Sequence, residues 1–269
     1  MRPATWLRGT VFAGAMAPVA ALAGQPSAPA HWCAAPAAAT AILPPLERSA
    51  AQIDAGAPVN IVAIGSSSTV GIGASGPNEA YPYQLQIALR AHFPDLDVNV
   101  VNRGKSGEDA PEELARLATD VVALHPDLAI WQVGTNAVLR RDDLTADGEM
   151  LRTGVATLKN AGIDVVLMDL QYAPRVLDRA SYRTMERLIA DSADDAHVGL
   201  FRRFALMRYW QATHPPEAPA MIGADGLHMT DAGYDCLASD LASALEANWL
   251  AGEKLVHGPG PSGGAVAAR

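Results

Sequence analysis

The sequence has little cysteine and no cluster of basic residues, and both absences limit what the protein can be. Two cysteines in 269 residues are too few for a disulfide scaffold or a cysteine-rich zinc site. The 20 Lys and Arg residues against 29 Asp and Glu give a net charge of −9, so the chain lacks the electrostatic footprint that binds nucleic acid or an anionic membrane surface. With 49% hydrophobic and 18% charged residues, the chain is neither disordered nor fibrous. A soluble globular enzyme or binding protein remains.

No apolar run is long enough to span a bilayer, but a short one near the N-terminus is typical of export. Two arginines are followed by the apolar residues 11–22, and Ala21-Leu22-Ala23 then has the small-x-small pattern that signal peptidase cleaves. The alternative, a buried N-terminal helix, fits poorly with Gly14 and Pro18 inside the run. We therefore predict a signal peptide over residues 1–23 and a periplasmic or secreted protein.

The mature chain divides by composition into three parts. Residues 24–45 are rich in Ala and Pro and predict an extended surface leader, residues 46–251 carry the domain, and the Gly- and Pro-rich residues 252–269 predict a disordered tail. Export makes Cys33 and Cys236 an even pair in an oxidising compartment. They form either one disulfide or two separate buried thiols, and only geometry decides between these.

Apolar segments alternate with amphipathic ones along the domain. The predicted strands cover residues 60–65, 98–101, 128–133 and 165–168, and the predicted helices lie around residues 83–93, 111–124, 148–160 and 182–195, with a last helix capped by Thr230. A loop-rich segment with three prolines precedes that last helix. Strands that are apolar throughout, separated by such helices, predict an α/β protein, a three-layer α/β/α sandwich with a central parallel sheet. Its chemistry is expected at the carboxyl ends of the strands.

Polar loops follow three of these strands and precede the last helix. They contain Gly65-Ser66-Ser67-Ser68-Thr69, then residues 102–109, then Gly134-Thr135-Asn136, and finally Asp225-Gly226-Leu227-His228. Together they offer a hydroxyl nucleophile, glycine amides, a side-chain amide, and a carboxylate beside an imidazole. Acyl transfer needs this set, because a serine attacks only when a base takes its proton and when N–H donors stabilise the oxyanion.

These four blocks, in this order, resemble those of the SGNH hydrolases, also called GDSL esterases. The resemblance extends from about Ile61 to Tyr234 and implies a flavodoxin-like fold. It implies that Ser67 is the nucleophile, His228 the base and Asp225 the acid that orients it. The non-catalytic alternatives are that Ser67 is a turn residue and that His228 is a surface histidine.

The same resemblance implies an oxyanion hole. Its donors would be the main-chain N–H groups of Ser67 and Gly107 and the side-chain amide of Asn136. Gly104 is the alternative register for the glycine, and either glycine could instead serve only to permit a positive φ. Two positions depart from the family pattern, since Ser66 and Ala137 stand where the family usually has Asp. The departures bear on subfamily and substrate rather than on the reaction class.

The sequence therefore predicts an exported serine esterase that hydrolyses carboxylic esters, with short acyl groups such as O-acetyl favoured. The alternatives are a lysophospholipase- or thioesterase-type enzyme acting on lipid esters, and a non-catalytic glycan-binding protein with an idle site. The expected partner is a small-molecule or glycan ester. No metal or other cofactor is expected, because the other histidines show no ligand spacing, and the glycines of residues 71–76 do not directly follow the strand as a dinucleotide fingerprint requires.

Overall fold

Residues 33–140 and 144–256 are described by the structure, a computed structural model. The predicted signal peptide, residues 24–32 of the predicted leader and residues 257–269 of the predicted tail lie outside them. No helix in this part of the chain has the length and apolar character needed to cross a bilayer.

A parallel sheet of five strands forms the centre of the described domain. The strands are β1 Val59–Gly65, β2 Val98–Gly104, β3 Leu128–Gln132, β4 Asp164–Met168 and β5 Gly199–Phe201. Their spatial order is β2-β1-β3-β4-β5, which is the flavodoxin-like order. The register pairs Ile64 of β1 with Arg103 on one side and Trp131 on the other, so the three strands end side by side.

Helices connect the strands and cover both faces of the sheet. They are α1 Ala37–Thr40, α2 Glu47–Asp54, α3 Ser67–Val70, α4 Tyr81–His92, α5 Ala110–Asp120, α6 Thr135–Arg140, α7 Leu144–Asn160, α8 Pro174–Leu177, α9 Tyr182–Ala196, α10 Arg203–Thr213 and α11 Asp231–Val256. The predicted three-layer sandwich is thus confirmed. Because α11 extends to Val256, residues 252–256 of the predicted tail are helical.

Alternate strand residues supply two separate cores, as the pleat requires. One core packs β-strand residues such as Ile61 and Ile130 against α4, α10 and α11. The other packs Val62, Trp131 and their neighbours against α5, α7 and α9. Gly154 of α7 lets the helix approach the sheet, since a Cβ there would lie 2.3 Å from the Trp131 ring.

Two elements were missed in the segment that the sequence predicts as loops. β5 is only three residues long, which is too short to show a strand pattern. α10 buries Arg203 together with Phe204, Leu206 and Trp210, so a buried charge interrupts its apolar stripe. The helix predicted around residues 111–124 ends at Asp120, and Leu124 beyond it is 40% exposed, whereas Glu113 within it is fully buried.

The segment before β1 is attached to the last helix. Cys33 and Cys236 form a disulfide that closes a loop of 203 residues, which decides the alternative left open by the sequence. Asn248 of α11 donates to the carbonyls of Ile42 and Pro44 and accepts from the Leu46 N–H. From Cys33 onward, the predicted leader therefore includes a short helix and buries Cys33 and Ile42 against the domain.

Candidate active site

Three polar side chains form a hydrogen-bonded row at the carboxyl end of β1, and one of them is remote in the chain from the other two. His228 Nε2 lies 2.9 Å from Ser67 Oγ, although the two residues are 161 positions apart. His228 Nδ1 lies 2.5 Å from Asp225 Oδ2. The structure thus brings together the serine, histidine and aspartate that the sequence singles out.

Ser67 is positioned by the sharp turn from β1 into α3. β1 ends at Gly65 and Ser67 is the first residue of α3, with its carbonyl accepting from the N–H groups of Gly71 and Ile72, both at 3.0 Å. The Ser67 N–H has no hydrogen-bond partner among the described residues. This donor is therefore available beside the hydroxyl.

Asp225 and His228 lie on a narrow hairpin just before α11. An isolated bridge pairs Ile222 with Met229, and the Gly223 N–H donates to the His228 carbonyl at 2.8 Å. Gly226 at the tip has φ +67°, which favours glycine. The hairpin places the carboxylate and the imidazole three residues apart but in direct contact.

The hairpin also keeps Asp225 ionised. Partial burial raises the pKa of Asp225, but the N–H groups of Leu227 and His228 and the His228 ring outweigh that effect, so the pKa lies below its ordinary value. The side chain of Asp225 is 44% exposed, whereas that of His228 is 15% exposed. An ionised carboxylate can hold Nδ1 protonated, which leaves Nε2 free to accept a proton.

The structure of the loop after β2 distinguishes the roles of the two candidate glycines, Gly104 and Gly107. The Gly104 N–H already donates to Asn102 Oδ1 at 2.9 Å, and a Cβ on Gly104 would lie 2.3 Å from the Val70 nitrogen. Gly104 therefore allows β2 to pack against α3. Gly107, by contrast, has φ +84°, open space around it, and an N–H without a hydrogen-bond partner among the described residues.

Asn136 lies at the start of α6, directly after β3. Its Nδ2 donates to the Glu108 carbonyl at 2.7 Å, which joins it to the loop that carries Gly107. A side-chain amide has two hydrogens, so this bond leaves one for another acceptor. Arg140, one helical turn further on, donates to the Gly107 carbonyl and thus holds the same loop.

Two buried residues at this edge were missed by the sequence analysis. Arg116 of α5 donates to the carbonyls of Gly65 at 3.2 Å and Arg103 at 2.7 Å, and it contacts the Glu108 carboxylate at 2.5 Å. Gln132 at the end of β3 accepts hydrogen bonds from the turn that carries Ser67. The only sequence signal for either is a polar residue on an otherwise apolar face or strand.

A fully buried acid lies beneath the loop after β2. Glu113 Oε2 accepts from Trp131 Nε1 at 2.7 Å. Burial raises the pKa of Glu113 to about 8, against a smaller lowering by the Trp131 hydrogen bond, and this shift favours the protonated carboxyl. The acidic first turn of α5 is therefore partly internal, since Glu113 is buried while Glu112 is exposed.

A second buried polar network supports the loop that carries Asn136. Gln171 Oε1 accepts from Thr135 Oγ1 at 2.8 Å and from Arg203 Nη2 at 2.9 Å. Arg203 also donates to the Asp169 carbonyl. Burial, and then the charge of Asp169, raise the pKa of Glu186 well above its ordinary value.

A mostly apolar cavity of about 300 Å³ lies beside the hairpin, with Met221 and Ile222 in its wall. The rest is lined by Tyr172, Pro174, Met207, Trp210, Gln211 and His214. Within residues 33–140 and 144–256, no group of three or more His, Cys, Asp or Glu side chains is arranged to hold a metal ion.

Comparison with known proteins places this arrangement in a family. The model of the non-GDSL lipase-like family matches residues 32–249. This chain belongs to the non-GDSL lipase-like family.

Relatives of this family member include an acetylxylan esterase from Geobacillus stearothermophilus, which is 27% identical over 177 residues, covering 60% of this chain and 78% of that protein. Among solved structures, a two-domain esterase active on acetylated mannans has a TM-score of 0.63 at 22% identity, covering 79% of this chain and 55% of its own. TesA has a TM-score of 0.57 at 22% identity, and the match covers 70% of this chain and 99% of TesA. The structural likenesses show the shared fold. The non-GDSL lipase-like protein is a carboxylic ester hydrolase, as its sequence predicts.

Proposed function

We propose that this protein is an exported serine esterase of SGNH type that removes short acyl groups, such as acetyl, from a glycan or small-molecule ester. The observation that carries the proposal is the row of contacts from Ser67 Oγ to His228 Nε2 at 2.9 Å and from His228 Nδ1 to Asp225 at 2.5 Å. These distances suit proton transfer between hydroxyl and imidazole. An idle glycan-binding site would have no need of such alignment.

The reaction proceeds in two steps through an acyl-enzyme. Ser67 Oγ attacks the ester carbonyl carbon while its proton passes to His228 Nε2, and Asp225 stabilises the imidazolium. The tetrahedral intermediate collapses, the C–O bond to the alcohol breaks, and the leaving oxygen takes the proton from His228. Water then attacks the acyl-enzyme and gives one proton to His228. The bond between Ser67 Oγ and the acyl carbon breaks, Oγ takes that proton from His228, and the carboxylic acid leaves.

The oxyanion is stabilised by three donors that come from adjacent strand ends. The N–H groups of Ser67 and Gly107, which have no partner among the described residues, and the second amide hydrogen of Asn136 form this set. β1 lies between β2 and β3, so the loops that carry these donors are neighbours. Each preorganised donor lowers the barrier by several kcal/mol, about 3 in known cases.

The exposure of the site supports a bulky alcohol and a small acyl group. Asp225 is 44% exposed, so the acid-base side of the site lies at the surface rather than at the end of a tunnel. An acyl group carried on a glycan chain can reach such a site. The relatives named as an acetylxylan esterase and as an esterase active on acetylated mannans support the same substrate class.

Replacing Ser67 tests the reaction. We expect Ser67→Ala to lose hydrolysis of p-nitrophenyl acetate and labelling by a fluorophosphonate probe, because both need the Oγ nucleophile. Ser75→Ala, at an exposed loop position, is the control and should keep both. Wild-type turnover by Ser67→Ala would refute the assignment of Ser67 as the nucleophile. A folded wild-type protein that is inactive and stays unlabelled would favour the non-catalytic binding protein.

The apolar cavity beside the hairpin favours a second candidate, a lipid-type ester hydrolase. Its volume of about 300 Å³ and its lining by Met207, Trp210 and Met221 suit a hydrocarbon chain. A series of p-nitrophenyl esters from acetate to decanoate distinguishes the two. A kcat/KM that falls with chain length supports the short-acyl esterase, and one that rises supports the lipid enzyme.

Export is supported by two features. The predicted signal peptide precedes the domain, and the bridge between Cys33 and Cys236 belongs to a class that persists in oxidising compartments. Fractionation of cells that express the full chain tests this. Activity confined to the cytoplasm with both thiols free would contradict it.

A further inference from the structure

We propose that Gln132 is a positioning residue for the nucleophile: its buried side-chain oxygen holds the turn on both sides of Ser67. The inference rests on the proposed function, because it assigns a role to Gln132 only if Ser67 attacks the ester. Gln132 is the last residue of β3, the strand next to β1, and it is fully buried.

Three donors from the turn converge on one oxygen. Gln132 Oε1 accepts from the Ser66 N–H at 3.1 Å, from Ser66 Oγ at 3.2 Å and from Thr69 Oγ1 at 3.1 Å. Ser66 precedes the nucleophile and Thr69 follows it by two residues. The contacts therefore bracket Ser67.

The orientation of the amide is fixed by the main chain. The Ser66 N–H can only donate, so the atom that faces it must be the oxygen and not the nitrogen of Gln132. The hydroxyls of Ser66 and Thr69 can rotate, and they take the donor role that this oxygen requires. Removing the oxygen would leave the buried Ser66 N–H without its acceptor, which is more costly than losing an exposed hydrogen bond.

The turn has little freedom to compensate. Ser66 is 3% exposed and Thr69 is fully buried. A Cβ on Gly65 would lie 2.4 Å from Thr69 Oγ1 and 2.9 Å from Gln132 Oε1, so the backbone is already packed against this cluster. On the other side, Asn102 Nδ2 donates to the Thr69 carbonyl at 2.7 Å.

The contacts also give a physical reason for the serine at position 66. The Ser66 hydroxyl can donate to Gln132 Oε1, whereas an ionised Asp would place a second acceptor opposite that oxygen. Ser66 and Gln132 are thus a matched donor and acceptor pair. The departure from the Gly-Asp-Ser block and the polar residue at the end of β3 belong to one arrangement.

A hydroxyl that must meet both His228 Nε2 and an ester carbon tolerates little displacement. We expect Gln132→Leu to lower kcat by roughly 10- to 100-fold, with KM within about twofold, because misplacement of a reacting group by about 1 Å costs about 100-fold. Gln132→Glu keeps an oxygen at the acceptor position and should recover at least part of that loss. Thr69→Val removes one of the three donors and should lower kcat by about fivefold, the effect of one typical hydrogen bond.

Asn248→Leu is the matched control. Asn248 is also a buried amide with hydrogen bonds to three main-chain groups, but these belong to the segment before β1, far from the hairpin. Its replacement should lower the melting temperature and leave kcat per folded molecule unchanged.

The experiment measures kcat and KM for p-nitrophenyl acetate, the rate of fluorophosphonate labelling and the folded fraction by circular dichroism. The proposal is overturned if folded Gln132→Leu and Thr69→Val have the wild-type kcat, or if Gln132→Glu is as slow as Gln132→Leu. An inactive Ser67→Ala beside a fully active Gln132→Leu would sink this inference alone. A fully active Ser67→Ala would sink the proposed function with it.

Discussion

Glu113 makes the stability of the protein depend on pH in a direction opposite to that of most carboxylates. The side chain is fully buried, and within the described chain its Oε1 has no hydrogen-bond partner, while Oε2 accepts from Trp131 Nε1. Burial raises the pKa of Glu113 from its ordinary value of 4.5 to about 8. We predict that Glu113→Gln, which mimics the neutral acid, removes this dependence.

The sign follows from proton binding. Between pH 4.5 and 8 the unfolded chain has lost the Glu113 proton and the folded chain has kept it, so the free energy of unfolding falls as the pH rises through this window. The limiting slope is about 1.4 kcal/mol per pH unit. Between pH 5 and 7 the loss is therefore on the order of 2–3 kcal/mol.

Urea unfolding followed by circular dichroism at pH 5, 6, 7 and 8 measures this effect. The difference in unfolding free energy between Glu113→Gln and the wild type should shift in favour of the variant by on the order of 2–3 kcal/mol from pH 5 to pH 7. Glu149→Gln, which removes an exposed carboxylate of α7, is the control and should follow the wild type. Parallel curves for wild type and Glu113→Gln would show that Glu113 is ionised in the folded protein and would refute the reasoning.

Two further predictions concern the oxyanion and the disulfide. Asn136→Ala should lower kcat for p-nitrophenyl acetate by about 100- to 1,000-fold with little change in KM, because it removes a donor that acts on the transition state, and a loss below about threefold would exclude that role. Replacing both Cys33 and Cys236 by Ser opens a loop of 203 residues, which in the chain-entropy model costs about 5 kcal/mol. At about 2–4 °C per kcal/mol, the melting temperature should fall by about 10–20 °C, and an unchanged value in calorimetry would show that no bridge forms.

Much of the fold could be predicted from local pattern. Strands β1, β3 and β4 are largely apolar runs, and helices such as α11, with Thr230 as its cap, have an apolar face. The edge strand β2 has a weaker pattern, because only Val98 of its seven residues is fully buried. These signals are local in the sequence, so they can be recognised without knowing which elements pack together in the folded protein. β5 could not be predicted because three residues are too few to show a periodic pattern. α10 could not be predicted because Arg203 reads as an exposed charge, and only the folded chain supplies the Asp169 carbonyl and Gln171 Oε1 that accept its hydrogen bonds.

The residue types of the site were also readable from the sequence, since a hydroxyl, an imidazole and a carboxylate at loop positions point to one kind of chemistry. That Ser67 meets His228 across 161 residues depends on packing between elements remote in the chain. Ser67 follows β1, whereas His228 lies on the hairpin before α11, and Tyr234 of α11 donates to the Ile72 carbonyl in the segment after Ser67.

The amino-acid sequence by itself determined the fold class and the candidate serine, histidine and aspartate. Both follow from the spacing of apolar residues and from the chemistry of single side chains, which do not depend on tertiary contacts. Tertiary structure alone decided the pairing of Cys33 with Cys236, the contrast between Gly104 and Gly107, and the burial of Gln132 and Glu113. Each of these depends on which group lies within hydrogen-bonding or bonding distance of another that is remote in sequence. Proximity of that kind is set by packing.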